Sequence, residues 1–276
     1  MIFHLYGFFI ALGILAGLLV VDKIADVQNF VNKDKDGKGL EVDVFSILPW
    51  ILIPGIIGAR FYHVVDYWSY YDKNLIEIFY LWQGGLGIFG GIIGGVSGLF
   101  IYSAFISLKQ FRKDIKILEI KKLMEISPQY FNILISNFFS LLDLGAIGLP
   151  LGQAIGRWGN YFNQELYGLP TSLPWGIYIR PENRLPGFEN FERFHPLFLY
   201  ESLGCLLIFL IIFGIANFSS RSHGKLFFLY LFLYSFLRFW LEFLRIEGWR
   251  IKGIRVNQFV CLSLMMIPTL SFFKRR

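Results

Sequence analysis

Three arginines, Arg60, Arg157 and Arg238, sit in long apolar stretches of the 276-residue chain. A guanidinium at the centre of a membrane helix costs roughly 2.5 to 3.5 kcal/mol and is usually retained for function. It never loses its charge, and its planar fork pairs with the oxygens of a phosphate or carboxylate two at a time. Around Arg238 the residues Tyr234, Glu242 and Arg245 recur at a spacing that puts all four on one helical face. The structural alternative is a set of buried ion pairs, such as Arg238 with Glu242, that fixes helix register.

A second constellation is GRWGNYFNQELYG, residues 156 to 168. Arg157, Asn160 and Gln164 share a face if the helix continues through it, and the glycines let a ligand approach the backbone. The competing reading is a glycine-terminated helix whose asparagines make turn bonds. His195-Pro196 opens another apolar run, with proline suited to a first helical turn and His195 a candidate proton acceptor. His4, His63 and His223 fit no constellation. In GGLGIFGGIIGGVSG, residues 84 to 98, small residues four apart allow close helix packing.

Clustered arginines at one membrane depth suit an anionic lipid headgroup and point to a phospholipid as substrate. Cys205 and Cys261 both fall in apolar runs, which excludes a disulfide framework and paired zinc ligands. No phosphate loop or zinc-protease helix occurs, so no metal and no added cofactor is expected. The net charge of +6 comes without a basic stripe of interleaved aromatics, so nucleic acid is not an expected partner and anionic lipid is.

The elements that must position these residues are membrane helices. Apolar residues make up 55% of the chain and charged ones 17%, with a mean hydropathy of +0.54. Crossing about 30 Å of hydrocarbon takes roughly 20 mainly apolar residues. Seven runs qualify, near Phe3 to Val21, Phe45 to Val65, Ile78 to Ile106, Ile133 to Trp158, Pro196 to Phe218, Leu226 to Arg245 and Val256 to Phe273. The fold expected is all-α, a seven-span polytopic protein forming one membrane domain over residues 1–276.

Lysine sets the orientation. Lys23, Lys33, Lys35, Lys38, Lys109, Lys113, Lys116, Lys121, Lys122, Lys225 and Lys274 fall on one side, and only Lys73 and Lys252 on the other. The N-terminus is therefore expected outside and the C-terminus in the cytoplasm. This makes 107–132 a basic cytoplasmic loop and 159–195 an outer, periplasmic one, and it puts Arg60, Arg157 and Arg238 near the outer ends of their spans. The stretch from Lys109 to Lys122 could also lie on anionic lipid as an amphipathic helix.

GRWGNYFNQELYG resembles the signature of the prolipoprotein diacylglyceryl transferases. HLYG at 4–7, GARFYH at 58–63, HPLFLYE at 195–201 and YSFLRFWLEFLR at 234–245 agree with that family in order. The resemblance implies an enzyme of the bacterial cytoplasmic (inner) membrane. It moves the diacylglyceryl group of phosphatidylglycerol to the cysteine thiol of a prolipoprotein lipobox, forms a thioether, releases glycerol phosphate and needs no cofactor.

By motif, Arg157 and Arg238 would hold the phosphate, with Arg60 beside them as a further substrate contact. Asn160, Asn163, Glu165 and Gly168 would shape the headgroup pocket. Tyr6 and Glu242 would line the cavity, and Tyr6 and His195 are the candidates for the thiol proton. One departure stands out, since Phe89 lies where many members carry histidine in the third span's glycine motif. The reading from another class is a transporter for an anionic solute, which a cavity lined with arginines would also suit.

Overall fold

The computed structural model describes residues 5–28, 43–115, 126–218, 224–248, 250–251 and 254–273. The helices are α1 (Leu5–Gln28), α2 (Val44–Asp66), the single turn α3 (Trp68–Tyr71), α4 (Ile88–Ile115), α5 (Ile126–Asn163), α6 (Leu197–Phe218), α7 (Lys225–Leu241) and α8 (Val256–Phe273). Short antiparallel pairs join β1 (Ile177–Tyr178) to β2 (Arg193–Phe194) and β3 (Arg250–Ile251) to β4 (Ile254–Arg255). Among the described residues six helices are long and apolar enough to cross a membrane, namely α1, α2, α4, α5, α6 and α7. The chain is thus an all-α polytopic membrane protein, with β structure confined to connecting segments. The apolar stretch of α8, Val256–Thr269, is shorter than the other six.

The chain divides into two compact units, Met1–Ile24 with Leu142–Arg276, and Ala25–Leu141. In the second of these, α2 and α4 meet through backbone. A Cβ placed on Gly90, Gly94 or Gly98 would run into the carbonyls of Gly58, Pro54 and Trp50 respectively. The three contacts fall four residues apart on both helices, the register expected of a small-residue seam. Asn137 of α5 donates to Ser107 Oγ at 2.9 Å, and Ser107 donates in turn to the Ser103 carbonyl at 2.6 Å, so a polar clasp fastens the buried faces of α4 and α5.

The expected third span, Ile78 to Ile106, needs correcting. Leu75–Phe79 and Leu81–Gln83 form 3-10 turns, Gly84 and Gly85 take φ of 85° and 72°, and the helix starts only at Ile88. Hydropathy registers apolar side chains, but it cannot register glycines that turn the backbone left-handed. The expected 107–132 loop also shrinks. No glycine or proline interrupts Ser107 to Ile115, so charge ends the apolar stretch without ending α4. Helix α5 begins at Ile126 with Pro128 tolerated in its first turn. Of the stretch from Lys109 to Lys122 expected to lie on anionic lipid, Lys109 and Lys113 belong to α4, and Lys116, Lys121 and Lys122 lie outside the described residues, as do His4 and His223.

In the first unit α1 and α5 repeat the glycine device. A Cβ on Gly13 would lie 2.6 Å from the Gly152 carbonyl oxygen, and one on Gly17 would lie 2.9 Å from that of Gly148. Asp143, buried on α5, accepts the N–H groups of Gly224 at 2.7 Å and Phe227 at 2.8 Å. It caps α7 from another helix, giving the first turn's unpaired donors a negatively charged partner. Between α5 and α6 the chain folds on a small core of Tyr167, Ile179 and Phe194.

Candidate functional site

Glu201 is the centre of the site, and it lies in the second turn of α6. Its Oε1 accepts from Arg157 Nη2 of α5 at 2.9 Å and from the Tyr234 hydroxyl of α7 at 3.0 Å. Its Oε2 accepts from Arg238 Nη1 of α7 at 3.1 Å. Three helices therefore converge on one carboxylate. The Glu201 side chain is 5% exposed, whereas the two arginine side chains keep 25% and 24%. The acid is enclosed, and the two arginines that hold it keep part of their surface exposed.

Glu242 forms a second node. The helix expected to run to Arg245 stops at Leu241 and tightens into a 3-10 turn over Glu242–Leu244, but the expected face survives. Glu242 Oε2 lies 3.7 Å from Arg238 Nη2 and 3.8 Å from Arg245 Nη1, and Asn257 donates to its Oε1 at 3.3 Å. Arg255 donates to the backbone carbonyls of Glu242 and Arg245. In the ion-pair network three guanidiniums face two carboxylates, which leaves one positive charge in excess. A phosphodiester monoanion complements that excess.

The signature segment is built by a helix end. Arg157 Nη1 reaches Asn160 Oδ1 at 3.3 Å, and Asn160 Nδ2 donates to Glu165 Oε1 at 2.7 Å. Helix α5 stops at Asn163, which is exposed. Gln164 then takes φ of 52° and Leu166 φ of 54°, so Gln164 does not share the face of Arg157 and Asn160. Its carboxamide oxygen instead accepts from the Arg180 N–H at 2.9 Å and from Asn183 Nδ2 at 3.2 Å. Two non-glycine residues in the left-handed region, one on each side of Glu165, store strain of roughly 1 to 3 kcal/mol each. That strain is offset by a turn that aims Glu165 back at Asn160.

Gly168 is buried at the far end of this segment. A Cβ there would lie 2.9 Å from the Leu244 carbonyl oxygen and 3.0 Å from both His195 Cβ and Leu197 Cγ, so no side chain fits. Tyr6 of α1 packs on Gly159, where an added Cβ would meet its ring at 2.9 Å. His195 is half-buried, and its Nδ1 pairs with the Tyr200 hydroxyl at 3.1 Å, to which Trp175 Nε1 donates at 2.8 Å.

Arg60 has quite different surroundings. It belongs to the second unit, is 6% exposed, and spends its guanidinium on backbone. Nε donates to Ile78 O at 2.8 Å, Nη1 donates to Gly84 O and Gly85 O at 2.7 and 3.1 Å, and Nη2 donates to Glu77 O and to Tyr80 O. All five donors are engaged. Arg60 is a clamp for the loop that replaces the start of the expected third span, and an incoming phosphate would have to displace carbonyls to reach it. Phe89 is exposed on α4, with its ring 6.1 Å from that of Tyr62.

The motifs expose the arginines, but none of them marks Glu201 as the acid between the two. Glu201 was visible as a charge inside an apolar span, and such a charge demands a partner. Below it, Tyr230 donates to Gln153 at 3.0 Å and stacks on Tyr234 with ring centroids 5.7 Å apart, extending the polar contacts into the helix bundle. Neither Gln153 nor Tyr230 carries a motif that could have drawn attention to it.

The sequence has counterparts among known proteins. Residues 1–120 and 129–273 match the family model for prolipoprotein diacylglyceryl transferase. The phosphatidylglycerol–prolipoprotein diacylglyceryl transferase of Fervidobacterium nodosum is 41% identical over 82% of this chain and 68% of its own length. Those of Finegoldia magna and Synechocystis sp. are 35% and 32% identical over 95% and 96% of this chain, covering 86% and 82% of the relatives. The chain belongs to the prolipoprotein diacylglyceryl transferase family.

Proposed function

We infer that this protein transfers the diacylglyceryl group of phosphatidylglycerol to the cysteine thiol of a prolipoprotein lipobox, the first step of bacterial lipoprotein maturation. The observation that carries the reading is the pair of guanidiniums, Arg157 and Arg238, fixed on one buried carboxylate while their own side chains stay partly exposed. Family membership favours group transfer over transport of an anionic solute.

The reaction is a displacement at carbon. The cysteine sulfur, as thiolate, forms a bond to the glycerol carbon that bears the phosphate ester. The carbon–oxygen bond breaks, and glycerol phosphate leaves with the electron pair. Arg157 and Arg238 neutralise charge on the phosphate as it builds, and an electropositive site also lowers a thiol's pKa from its usual 8.5 or so toward neutrality. Asn160, Asn163, Glu165, Gly168 and Glu242 border the headgroup, and Tyr6 and His195 are the candidates to receive the thiol proton. Glu201 and Glu242 hold the arginines and leave the positive surplus that the diester fills.

The lysine distribution supports seven spans in the cytoplasmic membrane, with α8 as the seventh, the N-terminus outside and the C-terminus inside. The site then falls at the outer leaflet, within reach of a lipobox held in the bilayer. The test is purified protein with phosphatidylglycerol and a lipobox peptide, read by mass. A diacylglyceryl gain on the peptide, absent from its cysteine-to-serine variant, is expected. No gain in either peptide would overturn the reading.

A further inference from the structure

Glu201 does more than complete an ion pair. One carboxylate bridges two guanidiniums through its two oxygens, Arg157 on Oε1 and Arg238 on Oε2, and the Tyr234 hydroxyl takes the remaining approach to Oε1. The spacing that suits a bridging carboxylate also suits a second two-oxygen anion at the exposed surface of the same pair. Two of the pair's other contacts are long. Arg157 Nη1 reaches Asn160 at 3.3 Å, and Arg238 Nη2 stands 3.7 Å from Glu242, beyond hydrogen-bond distance. Those two long contacts are the ones an entering anion would replace.

Glu201 also subtracts charge. Two guanidiniums with nothing between them would hold a phosphate monoester more firmly than a diester, because the monoester carries the greater negative charge at neutral pH. The monoester is the product and the diester is the substrate. A site built of arginine alone would therefore tend to stall with glycerol phosphate bound.

We propose that Glu201 is a positioning residue and a resident counter-anion. It sets Arg157 and Arg238 at bridging distance, and by cancelling one of their charges it keeps the departing glycerol phosphate from remaining on the site. This rests on the transferase reading above. Glu201 touches neither sulfur nor phosphate, and it acts through the two arginines.

The experiment follows adduct formation by full-length protein in phosphatidylglycerol micelles, with glycerol phosphate titrated in as inhibitor. Glu201→Gln keeps the shape and removes the charge. Its inhibition constant for glycerol phosphate is expected to fall about tenfold while kcat falls and the KM for phosphatidylglycerol does not rise. Glu201→Asp keeps the charge but withdraws it by one methylene. It is expected to leave the inhibition constant no lower than in the wild-type protein and to raise the KM about fivefold as the arginines lose their spacing. An unchanged or raised inhibition constant in Glu201→Gln overturns the counter-anion role. If that variant does not fold, Glu201→Asp with a wild-type KM overturns the positioning role on its own. A wild-type protein that makes no adduct removes the transferase reading, whereas an active one with unmoved constants removes only this inference.

Discussion

Arg60 and the pair Arg157 and Arg238 are the same residue type in apolar helices, yet the two regions use it in opposite ways. In the second unit Arg60 gives all five donors to carbonyls of the loop at 77–85 and lies over the Tyr71 ring, its guanidinium carbon 5.2 Å from the centroid. In the first unit Arg157 and Arg238 lean on carboxylates and keep about a quarter of their side-chain surface open. Carbonyls consume donors without cancelling charge, and they fix a loop. Carboxylates cancel charge, and the two guanidiniums they hold here keep exposed surface that Arg60 lacks. On the transferase reading, the acceptors an arginine faces, more than its burial, separate the proposed phosphate-binding pair from the loop clamp.

The largest effect that could break this contrast belongs to the open pair. Arg157→Ala or Arg238→Ala is expected to lower adduct formation at least about a hundredfold, as happens when one fixed donor to a developing oxyanion is removed. The thermal midpoint in detergent should move less than the activity, because Glu201 keeps its other guanidinium and the Tyr234 hydroxyl. Activity within a few-fold of wild type in either variant would remove that arginine from the phosphate.

Next in size is Arg60→Gln. Five carbonyls lose their donor in a buried setting, and the expected loss of stability is roughly 3 kcal/mol or more. It would be read as a lowered thermal midpoint and faster proteolysis between Glu77 and Gly85. Activity per folded molecule is expected to stay within about threefold of wild type. A hundredfold loss of activity at an unchanged midpoint would instead give Arg60 to the substrate, as its motif position in the sequence implies, and the contrast between the two regions would collapse.

How much of this could be read from the sequence divides along the same line. Spans were legible because hydropathy is a bulk property of 20 residues, and the glycine seam was legible because a spacing of four is itself the contact between α2 and α4. The site arginines were legible as costly charges in apolar runs. Their partners were not, since nothing in HPLFLYE says that Glu201 will meet Arg157, 44 residues earlier, and Arg238, 37 residues later. Asp143 escaped for a similar reason. It serves the N–H groups of Gly224 and Phe227, more than 80 residues away. The loop at 78–87 was misread as helix because its character comes from backbone, from two glycines at positive φ and from carbonyls gathered by Arg60. Side-chain patterns report on side chains, and this loop is organised by main chain.

The finest discrimination comes from Tyr167, a neutral counterpart of Arg60 that sits in the first unit. Its hydroxyl donates to the Asn183 carbonyl at 2.9 Å and accepts from the Leu185 N–H at 2.7 Å, so it too is a side chain serving the backbone of a loop. Burial pushes its phenol above the ordinary value near 10, the Leu185 N–H opposes that shift, and Glu247 adds to it. A folded-state pKa above the unfolded one means that the neutral phenol favours the fold. That contribution is complete below about pH 10 and is lost as pH rises through the higher folded value. Tyr167→Phe should therefore cost on the order of 1 kcal/mol at neutral pH, with adduct formation per folded molecule unchanged. The stability gap between the two proteins should narrow above pH 10, where wild type weakens and the variant lacks that titration. A gap that stays constant into the alkaline range would mean that the phenol is not held neutral by its surroundings. A loss of activity without loss of stability would make this loop part of the site, and backbone-serving residues could no longer be set apart from substrate-serving ones.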